Sequence, residues 1–323
     1  MHMADALIST PVALVAGVGA ASLLVVASRK VSKIKRADIL PLMGVMGAFV
    51  FAAQMINFSI PGTGSSGHII GGILLAALLG PWAAFLTLAS VIIIQCLIFA
   101  DGGLMALGCN LINMGVMTTM VAYPLVYRPI AKATTIRWRI MLASVLACIV
   151  GLEAGALAVT LETELSGVTQ LPYVTFLSFM LPIHLLIGLC EGVATGLVLC
   201  FIASYRPGML ASVNNTEYKD SEQDDKKSKS AKWILAILSA VALIFAVSFS
   251  WLASSDPDGL EWSIEKITGN AELAPAVAPP TAIIPDYNST FSGVIGGLIV
   301  VALIWGICII LFRSKKSVRS NKN

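Results

Sequence analysis

The chain begins Met1-His2, and its only other histidines are His68 and His184. An N-terminal Met-His dipeptide can offer one metal ion three nitrogens: the α-amine, the His2 backbone amide and the His2 imidazole. Amine and amide close a five-membered chelate ring, and amide and imidazole close a six-membered one. These rings hold the nitrogens near one plane, and a fourth nitrogen, such as that of His68, completes a square-planar set. Such coordination suits Ni(II) or Cu(II) rather than Zn(II), Mg(II) or Ca(II). The amide must shed its proton, so binding is expected to depend on pH. The competing reading is that His2 is an exposed terminal residue or a cloning remnant.

The other polar residues are ambiguous in different ways. His68 ends the Gly/Ser-rich stretch PGTGSSGH (61–68), which can fold back tightly on other backbone; alternatively it caps a helix. His184 lies within MLPIHLLIG, with Glu191 seven residues on and Glu153 in another apolar block. Ionisable groups inside a membrane are functional candidates by default. His184 and Glu191 nevertheless share one helical face, and pairing with polar groups in a helix bundle is the favoured reading. Gln95, Asp101, Asn110 and Asn113 gather around the turn IFADGGL. They either line an ion path and orient His68, or serve as ordinary interhelical hydrogen-bonding groups.

The elements that must position these residues follow from composition. Of 323 residues, 57% are hydrophobic and 12% charged, against about 25% charged in ordinary soluble domains. Several apolar runs exceed the roughly 18 residues of a transmembrane helix. The expected fold is therefore an all-α polytopic membrane protein. The six cysteines form no CxxC pair and are expected to pack as small apolar side chains. No basic n-region precedes the first apolar run, so no cleaved signal is expected and residue 1 reads as the mature terminus. A bulky second residue also blocks removal of the initiator methionine.

Polar breaks place helices near 11–28, 38–58, 69–79, 82–100, 104–127, 140–161, 173–203, 233–252 and 291–312. Gly80-Pro81 divides an overlong block, leaving a third helix short enough to be buried or re-entrant, and Pro182 is a candidate kink. With the N-terminus outside, segments 29–37, 128–139, 204–232 and 313–323 lie inside and hold 20 of the 21 Lys and Arg residues. That is the positive-inside pattern. It gives N-out, C-in, with nine spans, and puts His2 and the loop carrying His68 on the same outer side. The polar stretch 205–232 reads as a cytoplasmic linker. It separates a seven-helix body, 1–204, from a two-helix module, 233–323. A sequon at Asn288 is expected to be incidental.

No P-loop, GxSxG or HExxH motif is present, so the chain reads as a non-enzyme. Any ATP hydrolysis must come from another chain. The start MH–DALIS, the loop PGTGSSGHIIGG, and the segments LLGPWAAFL and IIQCLIFADGGLMALGCNLINMG resemble the CbiM/NikM family. These are substrate-binding M subunits of energy-coupling-factor (ECF) importers for nickel and cobalt. DPDGLEWS (256–263) resembles the PDGLE motif of the small two-span N component, fused here at the C-terminus. The resemblance implies a seven-helix capture subunit holding the metal through Met1, His2 and His68. It also implies a CbiQ/NikQ-like membrane coupling subunit and CbiO/NikO-like ABC ATPases as partners. Ni(II) or Co(II) is then transported substrate, no permanent cofactor or nucleic acid is expected, and the location is a prokaryotic plasma membrane. The start MHMADAL departs from the MHIPDGF-like starts of many members and does not choose between the metals. Square-planar geometry and the PDGLE fusion lean to nickel. The rival is a self-contained proton-coupled transporter using Glu153, His184 and Glu191, which predicts paired broken helices in inverted repeats; only the break at Gly80-Pro81 is evident.

Overall fold

The structure is a computed structural model, and it describes residues 1–34, 36, 39–132, 135–211, 240, 244, 254–271, 273, 283 and 294–306. After a buried N-terminal segment, α1 (Thr10–Val31) starts at Pro11 and ends at Arg29 and Lys30. Pro suits a first helical turn, where its missing N–H costs nothing. Twenty-two residues at 1.5 Å each make a rod of about 33 Å, enough to cross a hydrocarbon core of about 30 Å. Then follow α2 (Ile39–Gln54), α3 (Gly72–Leu79) and α4 (Pro81–Phe99). The continuous helix Leu107–Ala131 is α5, and α6 (Arg137–Ser166) and α7 (Tyr173–Tyr205) are the longest.

Five of these helices, α1 and α4 to α7, are long and apolar enough to cross a membrane. The break between α3 and α4 falls at Gly80, whose φ of 80° turns the chain before Pro81 restarts it. Every residue of α3 is buried, so this short helix is a core element, as its length predicts. The expected block at 104–127 begins instead at Leu107, after the turn at Gly102 and Gly103, and runs on to Ala131. Its middle, Leu111–Tyr127, is wound in the wider i→i+5 pattern. Pro182 sits inside the uninterrupted α7. The expected span 233–252 and Asn288 lie outside the described residues, isolated positions 240 and 244 apart.

Small residues set the helix spacing, since lipid offers no hydrophobic drive between helices. Gly188 and Gly192 on α7 face α6 so closely that an added Cβ would lie 2.9 Å from Ile149 Cα and 2.5 Å from Val145 Cα respectively. Gly108 meets the backbone of Gly17 in the same way where α5 crosses α1.

One element departs from the all-helical expectation. The loop before α3 reads as flexible, yet Phe58–Ile60 (β1) and Ser65–Gly67 (β2) pair antiparallel, Phe58 opposite Gly67 and Ile60 opposite Ser65. Gly62 and Gly64, with φ of 78° and 71°, make the reversal, a backbone region glycine enters without a Cβ clash. Two further helices come from the C-terminal part: α8 (Gly259–Thr268) and α9 (Val294–Gly306). Val300 and Ile304 of α9 are buried, and they would meet a Cβ placed on Gly47 of α2.

Candidate metal centre

The first eight residues are threaded into the bundle rather than frayed. Met1, Met3, Leu7 and Ile8 are all buried. The Met3 amide donates to Asn110 Oδ1 at 2.8 Å, while Asn110 Nδ2 and the Gly103 amide donate to the Met3 carbonyl at 3.2 and 2.8 Å. The Ala106 amide donates to Asp5 Oδ1 at 3.1 Å. The turn at 101–106 is shaped to this segment. A Cβ on Gly103 would sit 1.9 Å from Asp5 Oδ1 and 2.4 Å from Asp5 N, and one on Gly102 would press on Asn110 and His2. Asn110, expected near the site, is therefore the clamp that holds residue 3 and aims residues 1 and 2.

Those two residues meet His68. The Met1 amine lies 3.5 Å from His68 Nε2, and the His2 and His68 ring centroids are 5.4 Å apart. Nitrogens that ligate one ion at about 2 Å must lie within about 4 Å of one another, so small ring rotations suffice. Both ring nitrogens of His2 are buried without a hydrogen-bond partner, a costly state for a polar group. Asp101 Oδ2 is 3.8 Å from His2 Nε2, on the side that leaves Nδ1 for the six-membered chelate. A carboxylate behind an imidazole is how ligating histidines are usually oriented. Burial, and then the nearby ammonium, lowers the His2 pKa to about 3. Burial, the ammonium and His2 lower His68 likewise to about 3. Both imidazoles are neutral near neutral pH, the state a metal ligand needs.

His68 is held through its backbone neighbours. The Ile70 and Gly71 amides donate to the two carboxylate oxygens of the fully buried Glu191, both at 2.9 Å. Gln54 Nε2 donates to the Ile70 carbonyl at 2.8 Å, and Gln95 Nε2 donates to Gln54 Oε1 at 2.6 Å. Gln95 thus acts two links away from His68. Asn113 does not approach the imidazoles; it donates to Glu162 Oε2 at 2.7 Å and to Met3 Sδ at 3.6 Å.

A residue absent from the sequence expectation completes the site. Asp258 Oδ2 accepts a 2.5 Å hydrogen bond from the Met1 ammonium. Burial alone would raise this carboxyl, but the ammonium, His68 and its hydrogen bonds hold it well below the usual carboxylate range. Asp258 also caps α8: its Oδ1 accepts from the Leu260 and Glu261 amides, and Glu261 accepts from the Asp258 amide. The segment is fastened to the hairpin. The Ser66 amide donates to the Pro257 carbonyl at 2.8 Å, the Ser66 hydroxyl to the Asp256 carbonyl at 2.8 Å, and Trp262 Nε1 to the Thr63 carbonyl at 3.0 Å. Trp262 also meets Phe179 of α7 edge-on. The capping pattern Asp-x-x-Glu is the one signal in the sequence, and it announces a helix start, not a partner for residue 1.

The arrangement balances charge before and after an ion arrives. An ammonium and a carboxylate cancel; a divalent ion with one ionised backbone amide and the same carboxylate also cancel. Burying an uncompensated charge is the large penalty here, and neither state carries one. A cavity of about 10 Å³ lies between Met1, His68, Leu152, His184, Ile187 and Asp258, room for a single small occupant.

Fold and site together define a multi-pass, all-helical membrane protein whose own N-terminus is built into a buried nitrogen-rich centre. The family model for the CbiM cobalt uptake substrate-specific transmembrane region matches residues 2–209, and that for the PDGLE domain matches 231–313. The chain belongs to the CbiM family, with a C-terminal PDGLE domain. The "Putative fused nickel transport protein NikMN" of Archaeoglobus fulgidus is 35% identical over 81% of this chain and 83% of its own. The cobalt transport protein CbiM of Sorangium cellulosum is 32% identical over 53% of this chain and 76% of its own. A crystal structure described as a truncated transition metal transporter superposes with a TM-score of 0.55 at 33% identity, covering 63% of this chain and 99% of that one.

Proposed function

We propose that this chain captures Ni(II) or Co(II) for an ATP-driven, ECF-type importer, holding the ion through the Met1 amine, the His2 amide and Nδ1, and His68 Nε2. The observation that carries the reading is the convergence of the Met1 amine and two buried imidazoles, with both His2 ring nitrogens unpartnered. Nickel is favoured, because two fused chelate rings and a fourth nitrogen enforce a plane. The charge distribution in the loops supports an outward-facing N-terminus and a cytoplasmic C-terminus. In this scheme residues 1–204 form the capture body, 205–232 a cytoplasmic link and 233–323 the PDGLE module. A CbiQ/NikQ-like coupling subunit and CbiO/NikO-like ATPases supply energy.

The test is nickel binding by the purified chain carrying one extra residue before Met1, alongside His2→Ala. The extension keeps every side chain and moves the amine off the chelate. Loss of the planar Ni(II) absorption band in both proteins is expected. Unchanged nickel affinity in the extended protein refutes the reading.

A further inference from the structure

His184 was set aside at the sequence level as a packing residue, but its surroundings argue otherwise. Its Nδ1 lies 2.7 Å from the Met180 carbonyl, and a carbonyl can only accept, so Nδ1 carries the proton. Nε2 is left with a lone pair and, among the described residues, has no hydrogen-bond partner although the side chain is 1% exposed. A neutral imidazole with Nδ1–H donated to a backbone carbonyl and Nε2 bare is the usual preparation of a metal-ligating histidine.

The bare nitrogen is aimed at the metal centre's own cavity. His184 lines the 10 Å³ space with Met1, His68 and Asp258. Gly259, next to Asp258, lies over the ring: a Cβ there would be 3.3 Å from Nε2 and 3.1 Å from Cε1. The absence of a side chain at 259 is what lets the PDGLE backbone close over the imidazole without covering its lone pair. Two donors of different kind, an imidazole nitrogen and a carboxylate oxygen, thus face one cavity from α7 and from the α8 cap, and neither belongs to the planar set.

We propose that His184 Nε2 and the Asp258 carboxylate form a second divalent-metal station adjoining the N-terminal chelate, holding the ion beside the plane of Met1, His2 and His68. This rests on the capture reading above. A mixed nitrogen–oxygen pair with open positions for water suits the six-coordinate form of Ni(II) or Co(II), whereas the chelate enforces a plane. The two stations therefore differ in geometry and in spectrum.

The experiment uses full-length protein and nickel chloride, comparing wild type, His2→Ala, His2→Ala/His184→Leu and His2→Ala/His184→Gln. With the chelate broken by His2→Ala, the planar band is expected to vanish while about one weaker, six-coordinate Ni(II) per chain remains. Adding either change at His184 is expected to weaken that residual binding tenfold or more, and Gln keeps a polar link to Met180 in case Leu disturbs the helix. No residual binding in His2→Ala, or residual binding indifferent to both His184 changes, overturns the second station. Persistence of the planar band in His2→Ala would instead overturn the capture reading, and the two failures are told apart by their spectra.

Discussion

Lowering the pH should weaken nickel binding by two protons per ion, and the structure says which two. The imidazoles of His2 and His68 are depressed to about 3, so near neutrality they have no proton to give up. Asp258 is held ionised and contributes none. What remains is one proton from the ammonium that binds Asp258 and one from the His2 backbone amide. Each proton displaced is worth about 1.4 kcal/mol per pH unit, so two give about 2.7 kcal/mol, or roughly a hundredfold loss of affinity for each unit of acidification while the ammonium is intact. The assay is a nickel competition titration at steps between about pH 6 and about pH 7, paired with an indicator-dye count of protons released in weak buffer. Linkage fixes the range. The depressed imidazole values make seating of the N-terminal segment strongest above about pH 6.5 and weaken it progressively as pH falls toward about 3. If the imidazoles titrated at their ordinary value of 6.5 instead, the slope would climb toward four at the acid end. A slope near four refutes the burial argument, and a slope near one refutes ionisation of the amide.

Three further outcomes follow from the same contacts. Gly103→Ala is expected to abolish high-affinity nickel binding with the helical circular dichroism unchanged, because the new Cβ would collide with Asp5 Oδ1 and Asp5 N; adding Asp5→Ala should not restore binding, since the backbone nitrogen stays. Glu191→Gln replaces an acceptor of the Ile70 or Gly71 amide with a donor, a buried mismatch of about 1–3 kcal/mol; isothermal titration should show nickel affinity down about 10- to 100-fold. Trp262→Ala removes the hydrogen bond to Thr63 and the edge contact with Phe179, and limited proteolysis should then cut within 254–271 faster than in wild type, at unchanged rates elsewhere.

Much of this was legible because it is local chemistry. The Met-His start has only one arrangement of chelate rings, and Gly80-Pro81 breaks a helix wherever it occurs. The polar residues around IFADGGL were recognisable as a group but not individually. Asn110 proved to clamp Met3, Gln95 to act through Gln54, Asp101 to stand behind His2, and Asn113 to serve Glu162. Such pairings depend on helix rotation and register, which apolar blocks leave open. The hairpin was hidden because SSG has low strand propensity and owes its pairing to the positive-φ glycines and to backbone docked from 256–258. Asp258 was invisible for a different reason. Its capping box with Glu261 accounts for it completely within four residues, so no unexplained polarity pointed across the chain to residue 1.

That contact joins two residues 257 positions apart. Because Asp258 is tethered to the body it seals, its encounter with the amine is governed by chain length and not by how many copies of a partner the cell makes. Closure entropy grows only logarithmically with loop length, so a long covalent path still supplies an effective concentration far above that of a free membrane component. Cutting the chain within 205–232 would turn this seal into a bimolecular equilibrium, sensitive to dilution in lipid. The fusion converts a question of supply into one of geometry, and every molecule carries its own lid.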